Sequence, residues 1–399
     1  MAEWLKARQV ESVAMESTGV YWIARHEVLE AQGLQVLLVD TRQLAPVPGR
    51  DKKSEPTDCE WIQRRHSCGL LRGSFRPEEA VCMLRTLVRD QASLAAERSD
   101  WLRRMQKSLD QMNVRVQRAV SDINGATGMA ILRAITNGER DAQKLATLRD
   151  PRGSKTEQEI AEQLCGHWRE DHVFSLQQAL KMYDAVEERI AAYDKENLRK
   201  LGEMEREEQR GQTAPPLNNS NKAKAIKKRG QEPRRQALYR MSGVDITQID
   251  ALAVETVEVV RSEYGPDLSR FPTEKQFVAH LTLAPRVARS GGKPVKKKKR
   301  NSASTRVAAA LRMAALSLRH SQTALGACYR RIAQRRGGDI AVFAAARKLA
   351  TLVYRLLRWG QPYVDEGAAA YENRYRQHRI GRLSATAKEL GYPLTPVTA

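Results

Sequence analysis

None of the five cysteines (Cys59, Cys68, Cys82, Cys165 and Cys328) forms a Cys-x-x-Cys pair. That excludes the common zinc spacings and predicts reduced thiols, neither a disulfide framework nor a zinc site. No stretch approaches the roughly 18 uninterrupted apolar residues that a bilayer span demands, and the opening Met-Ala-Glu-Trp-Leu-Lys lacks the apolar core of a secretory signal. A cytoplasmic chain without a membrane partner is expected. A membrane-surface protein would want an amphipathic helix with a lysine face and bulky insertion residues, and the run from Lys296 to Arg300 adjoins none. Acidic residues are also scarce. There are 47 Asp plus Glu against 68 Lys plus Arg, which gives a net charge of +21 and a pI near 10.0. Such an excess predicts a polyanionic partner. At 399 residues the chain exceeds what one hydrophobic core organises, so two or three domains are expected.

What is present begins as α/β. Val10 to Met15 reads as a buried strand, Gly19 to Gln32 has helical spacing that stops at Gly33, and Leu34 to Val39 is a second apolar strand. This βαβ pattern ends its strands at Glu16 and Asp40, where sites are usually built in such sheets. After a turn-rich stretch, Pro56 can open a helix running through Trp61 and Ile62.

Neither Pro nor Gly occurs from Glu78 to Asn124, and Leu84, Leu87, Leu94, Trp101, Met105, Met112 and Val116 recur at three and four. That predicts a long helix with a coiled-coil seam. A second seam through Leu176, Leu180, Tyr183, Ile190, Leu201 and Met204 predicts an antiparallel helical arm. Residues 211–233 are polar, Pro- and Lys-rich, and read as a flexible basic linker. The resulting division is 1–77, an α/β domain; 78–210, the coiled-coil arm; 211–233, the linker; and 234–399, a mostly helical C-terminal domain.

Several residues can carry chemistry. Glu16 at its strand end can face a metal, or can simply end the strand and cap the next helix. Glu55 and Asp58 are three apart at a helix start and share a face, as two-metal chemistry asks of its ligands; the helix dipole alone also favours acids there. Asp40 is a weaker candidate, since its neighbours Thr41 and Arg42 suit a simple cap of the next segment. Ser290 precedes Gly291 and Gly292 among cations. A serine attacking a phosphodiester needs a backbone that permits close approach and positive charge for the phosphorane, while a phosphate-contacting turn is the local alternative. Gly243 to Asp245 can be a phosphate-holding turn or a helix cap. His26 and His66, each isolated on a helix, are assigned no chemistry. From Arg286 to Arg306 there are nine basic residues and no acidic one: Arg286, Arg289, Lys293, Lys296, Lys297, Lys298, Lys299, Arg300 and Arg306. This is the most visible nucleic-acid-binding segment. A second basic group comprises Arg330, Arg331, Arg335 and Arg336.

Taken together, VAMESTGVYW (13–22), VPGR (47–50), DCEWIQ (58–63), HSCGLLRGSFRP (66–77), QMN (111–113), SDING (121–125), FPTEKQF (271–277), SGGK (290–293) and Ala308 to Ser321 resemble the IS110-type insertion-sequence transposases. The resemblance implies an N-terminal RuvC-like, RNase H-type domain, a coiled-coil arm and a C-terminal transposase domain whose serine, here Ser290, joins covalently to DNA. It also implies four acidic ligands for Mg²⁺ or Mn²⁺. Glu16 matches the second of these, and Glu55 and Asp58 match the helix pair, with Glu in place of the usual Asp at 55. The strand that carries the first Asp in the family has no counterpart here, so the RuvC-like domain is expected to be partial, through a late start or a truncated copy. The family's use of a noncoding guide RNA in some members implies an RNA partner beside DNA. Exchange of donor and target strands implies a homo-oligomer. The expected function is a DNA transposase or recombinase, and the alternative is a catalytically inactive nucleic-acid-binding remnant.

Overall fold

The computed structural model describes residues 1–40, 55–284, 289–290, 293–294, 305–393 and 395, with the backbone alone at 55, 56, 289, 290, 293 and 294. Two compact units form, Met1–Glu78 and Glu79–Ala399.

The first unit is a small α/β layer. Strand β1 (Ser12–Glu16) pairs in parallel with β2 (Gln35–Val39), with Glu16 opposite Val39. Both strands alternate their apolar residues between two faces, as parallel strands do when they are covered on both sides. Val13, Met15 and Val36 pack with Ala2, Leu29 and Leu34, contributed by α1 (Ala2–Ala7), α2 (Trp22–Ala31) and the turn after it. Ala14, Leu37 and Val39 pack with Ile62 of α3 (Glu55–Ser67) on the opposite face. Helix α2 stops where the sequence predicts. Gly33 takes φ +78, and Leu34 N–H bonds back to Leu29 O at 3.1 Å. The free edge of β2 is extended by an antiparallel bridge between Val39 and Gly73, where a Cβ on Gly73 would lie 3.0 Å from the Leu37 side chain.

The second unit is helical. Helix α4 (Glu79–Gln111) and α9 (Glu170–Glu203) form the expected antiparallel pair, with Arg98 facing Glu187 at 2.9 Å and Asn197 donating to Gln91 at 2.8 Å. The first helix is shorter than its Pro- and Gly-free sequence predicts. Asn113 adopts φ +58, a left-handed position that Asn tolerates, and the chain turns there into the short α5 (Val116–Ala119). Met112 and Val116 therefore leave the seam and enter a core shared with α6 (Ala126–Thr136), α7 (Ala142–Ala146) and α8 (Glu157–Leu164). The return between the long helices is thus a small packed cap.

Residues 211–233, expected as a flexible linker, instead carry α10 (Ser220–Lys228), capped by the Asn219 side chain and anchored by buried Ile226. The polar composition misleads because Lys222 is folded inward, its Nζ donating to Ile249 O at 2.9 Å. Helices α11 (Glu232–Arg240), α12 (Val254–Tyr264) and α13 (Glu274–His280) follow, and Thr273 closes a capping box with Gln276 at the start of α13. Helix α12 docks on the first turns of α4, where Arg89 makes a forked pair with Glu263 at 2.9 and 2.8 Å. Beyond a two-residue antiparallel ladder, β3 (Arg289–Ser290) with β4 (Lys293–Pro294), come α14 (Arg306–Ser317), α15 (Ala324–Arg336), α16 (Gly338–Trp359) and α17 (Gly367–Glu389). Tyr264, Phe271 and Phe277 pack edge to face, and Tyr354 of α16 adds a tilted ring contact to Phe277 of α13. Among the described residues no helix is long and apolar enough to cross a membrane.

Candidate functional site

Glu16 is the last residue of β1 and is half-buried, and its Oε1 accepts from the Thr18 hydroxyl at 2.6 Å. It lines a cavity of about 290 Å³ with Met15, Thr18, Tyr21, Trp22 and Arg25. The chain leaves the strand through Gly19 at φ +59, and the Trp22 indole donates to the Gly19 carbonyl at 3.2 Å. This tight exit keeps the Glu16 carboxylate at the strand end, where part of its surface meets solvent.

Glu55 and Asp58 occupy the first turn of α3, which packs on β1. Asp58 is half-buried and already engaged in the fold, and the Glu55 side chain lies outside the described residues. Asp40 directly follows β2 and is also engaged. Among the described residues no three His, Cys, Asp or Glu side chains gather as a metal-holding group. The donor chemistry of Glu16 and Asp58 is oxygen only, which suits a hard divalent cation such as Mg²⁺.

The two histidines assigned no chemistry are packed. His26 is buried, with its Nδ1 2.9 Å from an Arg76 nitrogen, and Arg76 also reaches Glu27 at 2.7 Å and Glu30 at 3.0 Å. His66 Nε2 lies 2.9 Å from the Ser12 hydroxyl and ties α3 to the start of β1. Arg76 is the residue that sequence reading missed, since a lone arginine in a turn gives no signal of the three partners waiting on α2.

Ser290 stands at the closed end of the β3–β4 ladder, directly opposite Lys293 in the register, with Gly291 and Gly292 as the intervening residues. Among the cations of this segment, Arg306 is described as the exposed first residue of α14, behind the Thr305 cap. Arg289 and Lys293 are described in backbone alone. Arg286, Lys296, Lys297, Lys298, Lys299 and Arg300 lie outside the described residues.

Gly243 to Asp245 proves to be a cap. Gly243 N–H closes α11 onto Tyr239 O at 2.7 Å, and buried Asp245 accepts from Thr247 N–H at 3.0 Å and from Arg235 Nε at 3.2 Å. Its carboxylate is spent on an internal ion pair rather than offered to a ligand. Nearby, burial pushes the Lys222 ammonium down to about 8, against the pull of Asp250 and Asp245. Spacing gave no hint of this buried polar group, because ion pairs ten or more residues apart follow from tertiary packing.

Two family models match, one at each end of the chain. Residues 1–114 match the IS110 DEDD transposase model, described as a transposase, and residues 244–330 match the Transposase IS116/IS110/IS902 family. No curated protein matches. The first match contains Glu16, Glu55 and Asp58, and the second contains Ser290 with its opposed Lys293. In the same order along one chain, they make it a member of the IS110-type transposase family.

Proposed function

We propose that the protein is a DNA recombinase that cuts and rejoins strands for an insertion sequence, with Ser290 as its nucleophile. The observation that carries this reading is the pairing of Ser290 with Lys293 across a Gly-Gly connection, inside the segment that matches the transposase family. In this reading the Ser290 hydroxyl oxygen attacks a DNA phosphorus while its proton passes to a base or water. A serine–phosphate bond forms as a P–O bond of the strand breaks, and the departing oxygen takes up a proton. One phosphate ester replaces another, so the reverse attack by a second strand's hydroxyl reseals the DNA without an added energy source. Lys293 and the neighbouring cations stabilise the charge that builds on the phosphoryl oxygens.

Glu16, Glu55 and Asp58 would hold Mg²⁺ or Mn²⁺, whose contribution when bound is to neutralise phosphate oxygens and orient the scissile group. Thr18 fixes the rotation of the Glu16 carboxylate through Oε1. The RuvC-like architecture of the first unit, the coiled-coil character of the α4–α9 arm as an assembly element, a homo-oligomer and a guide RNA belong to the same reading.

The test is to trap a covalent protein–DNA adduct with supercoiled DNA carrying the element's ends. Wild type should form one, and Ser290→Ala should form none while still binding DNA, since it removes one hydroxyl and no charge. An adduct that persists in Ser290→Ala refutes the nucleophile. Binding by wild type with no adduct under any metal condition is the behaviour of an inactive remnant. Asp58→Ala and Glu16→Ala should lose the response to added Mg²⁺ or Mn²⁺ that wild type shows.

A further inference from the structure

Helices α15 and α17 run side by side in the same direction. Ala324 N–H bonds to Asp365 Oδ1 at 2.9 Å and Ala368 N–H to Gln322 O at 3.2 Å at their starts, and about two turns further on Arg331 lies 3.8 Å over the Tyr375 ring. With that register Arg335 and Arg336 fall level with Arg379. Helix α17 then continues ten residues past that level, a projection of about 15 Å. None of its residues is buried.

This pair carries nine Lys and Arg against two Glu. Arg335, Arg336, Arg376, Arg379 and Arg382 are all exposed, and among the described residues none of them has an ion-pair partner. Arg376, Arg379 and Arg382 follow each other at intervals of three and form a ridge on one broad face. Between and beyond them stand Gly381, Ser384, Ala385 and Ala387, so the helix backbone can come close to a bulky partner.

A charged face kept only for solubility mixes signs, and this protein has one. On α9 Arg199 is flanked by Glu196 and Glu203, and Lys200 meets Glu203 at 2.9 Å. The α17 ridge has no such compensation, and like charges at this spacing cost helix stability unless an anion offsets them. Ile380 and Leu383 are also exposed there, but a second copy brought onto them would set one arginine ridge against another. Charge complementarity favours a polyanion.

We propose that α15 and α17 form a second DNA-docking surface, taking the phosphate backbone of duplex DNA without reading its sequence. It rests on the recombinase reading for the choice of DNA as polyanion, and the five exposed arginines that carry it lie beyond residue 330, where the second family match ends. It is distinct from the Ser290 segment, so it can hold duplex flanking the exchanged strands while chemistry proceeds elsewhere.

The experiment measures binding of the full chain to a 30-base-pair duplex of arbitrary sequence at four salt concentrations. Substituting R376Q, R379Q and R382Q together should weaken binding to every duplex and flatten the dependence of log K on log salt by about two to three. Three arginine-to-lysine changes at the same positions should keep the wild-type slope. R335Q with R336Q, on the well-packed α15, should flatten it by about two and stands in if the α17 variant loses helicity by circular dichroism. An unchanged slope in both glutamine variants overturns the proposal. So does a loss confined to an RNA hairpin, or a change in sedimentation with duplex binding intact, which would assign the face to RNA or to a second copy. Adduct formation separates the two readings. A wild type that forms adduct with an unchanged slope in the variants refutes only the surface, and one that forms no adduct but shows the flattened slope refutes only the recombinase.

Discussion

The Arg234 guanidinium stands 3.3 Å from Glu258 Oε2, between two helices of the C-terminal region, and its other nitrogen pairs with Asp194 of the long arm helix α9. The line continues along the arm: Asp194 accepts from Gln91 of α4, and Gln91 accepts from Asn197 at 2.8 Å. A polar chain thus links α12, α11, α9 and α4 at the place where the arm joins the rest of its unit.

Glu258 makes that junction pH-sensitive. Burial pushes its carboxyl up to about 7, with Arg234 opposing and Asp194 and Glu255 adding to the rise. Its folded value lies above the ordinary 4.5, so between those limits the native state holds more protons than the unfolded one. Stability from this group is therefore full at low pH and lost as pH rises through about 7. The loss is on the order of 3 kcal/mol at most. Glu258→Gln should flatten the change in urea midpoint between pH 5 and pH 8. A variant that retains the wild-type pH dependence would sink this assignment.

Asn197 is fully buried in the arm seam and its Oδ1 has no partner among the described residues. A polar residue in a helical seam fixes register at a cost in stability. Gln91→Ala should destabilise by roughly 1 to 3 kcal/mol, since it strands the buried Asn197 amide, and Asn197→Ala, which strands the half-buried Gln91 oxygen, by about 1 kcal/mol. Because the two share one hydrogen bond, the double variant should fall short of the sum by about 1 kcal/mol in denaturant unfolding. Strict additivity would mean that the bond contributes nothing.

Much of this was legible in the sequence, for physical reasons that can be named. The apolar runs Val10 to Met15 and Leu34 to Val39 marked the two strands because both faces are covered, and Gly33 marked the end of α2 because that turn needs a positive φ. The antiparallel arm followed from two apolar repeats. The break at Asn113 was hidden because no Gly or Pro announces it; what ends α4 is the chance for Met112 and Val114 to enter the cap core. Residues 211–233 deceived by composition, since burying Ile226 and the stem of Lys222 needs partners far along the chain. Glu16, Glu55, Asp58 and Ser290 were singled out by position and motif. The Arg234–Glu258 and Arg235–Asp245 pairs were not, because residue types that read as surface become interior only through tertiary packing.

Glycines in the helical unit give a stability test with opposite signs. A Cβ on Gly128 of α6 would lie 2.3 Å from the Ile123 carbonyl oxygen, a backbone atom that cannot step aside. Gly128→Ala should therefore cost about 1 to 3 kcal/mol. Gly202, in the last turn of α9, has nothing within 4 Å of that position, and Gly202→Ala should stabilise by roughly 0.5 to 1 kcal/mol through helix propensity. An unchanged or raised thermal or urea midpoint for Gly128→Ala would show that the close approach of α6 to Ile123 is absent in solution, and a lowered one for Gly202→Ala would sink the propensity argument.

The basic run after Ser290 gives a test that does not depend on catalysis. Lys296, Lys297, Lys298 and Lys299 follow Pro294 and Val295, and four consecutive lysines are almost never buried. If they contact phosphates, each contact releases counterions and adds about 0.7 to 0.9 to the slope of log K against log salt. Changing all four to Ala should flatten the slope by about three on duplex DNA and leave the unfolding midpoint within about 0.5 kcal/mol of wild type. Combined with the three α17 glutamine changes, the two reductions should add, because they sit on separate segments and neutralise different phosphates. A combined variant no flatter than either parent would mean that both runs serve one contact patch. An unchanged slope for the lysine variant alone would leave the α15–α17 ridge as the DNA surface and remove the 286–306 segment from binding.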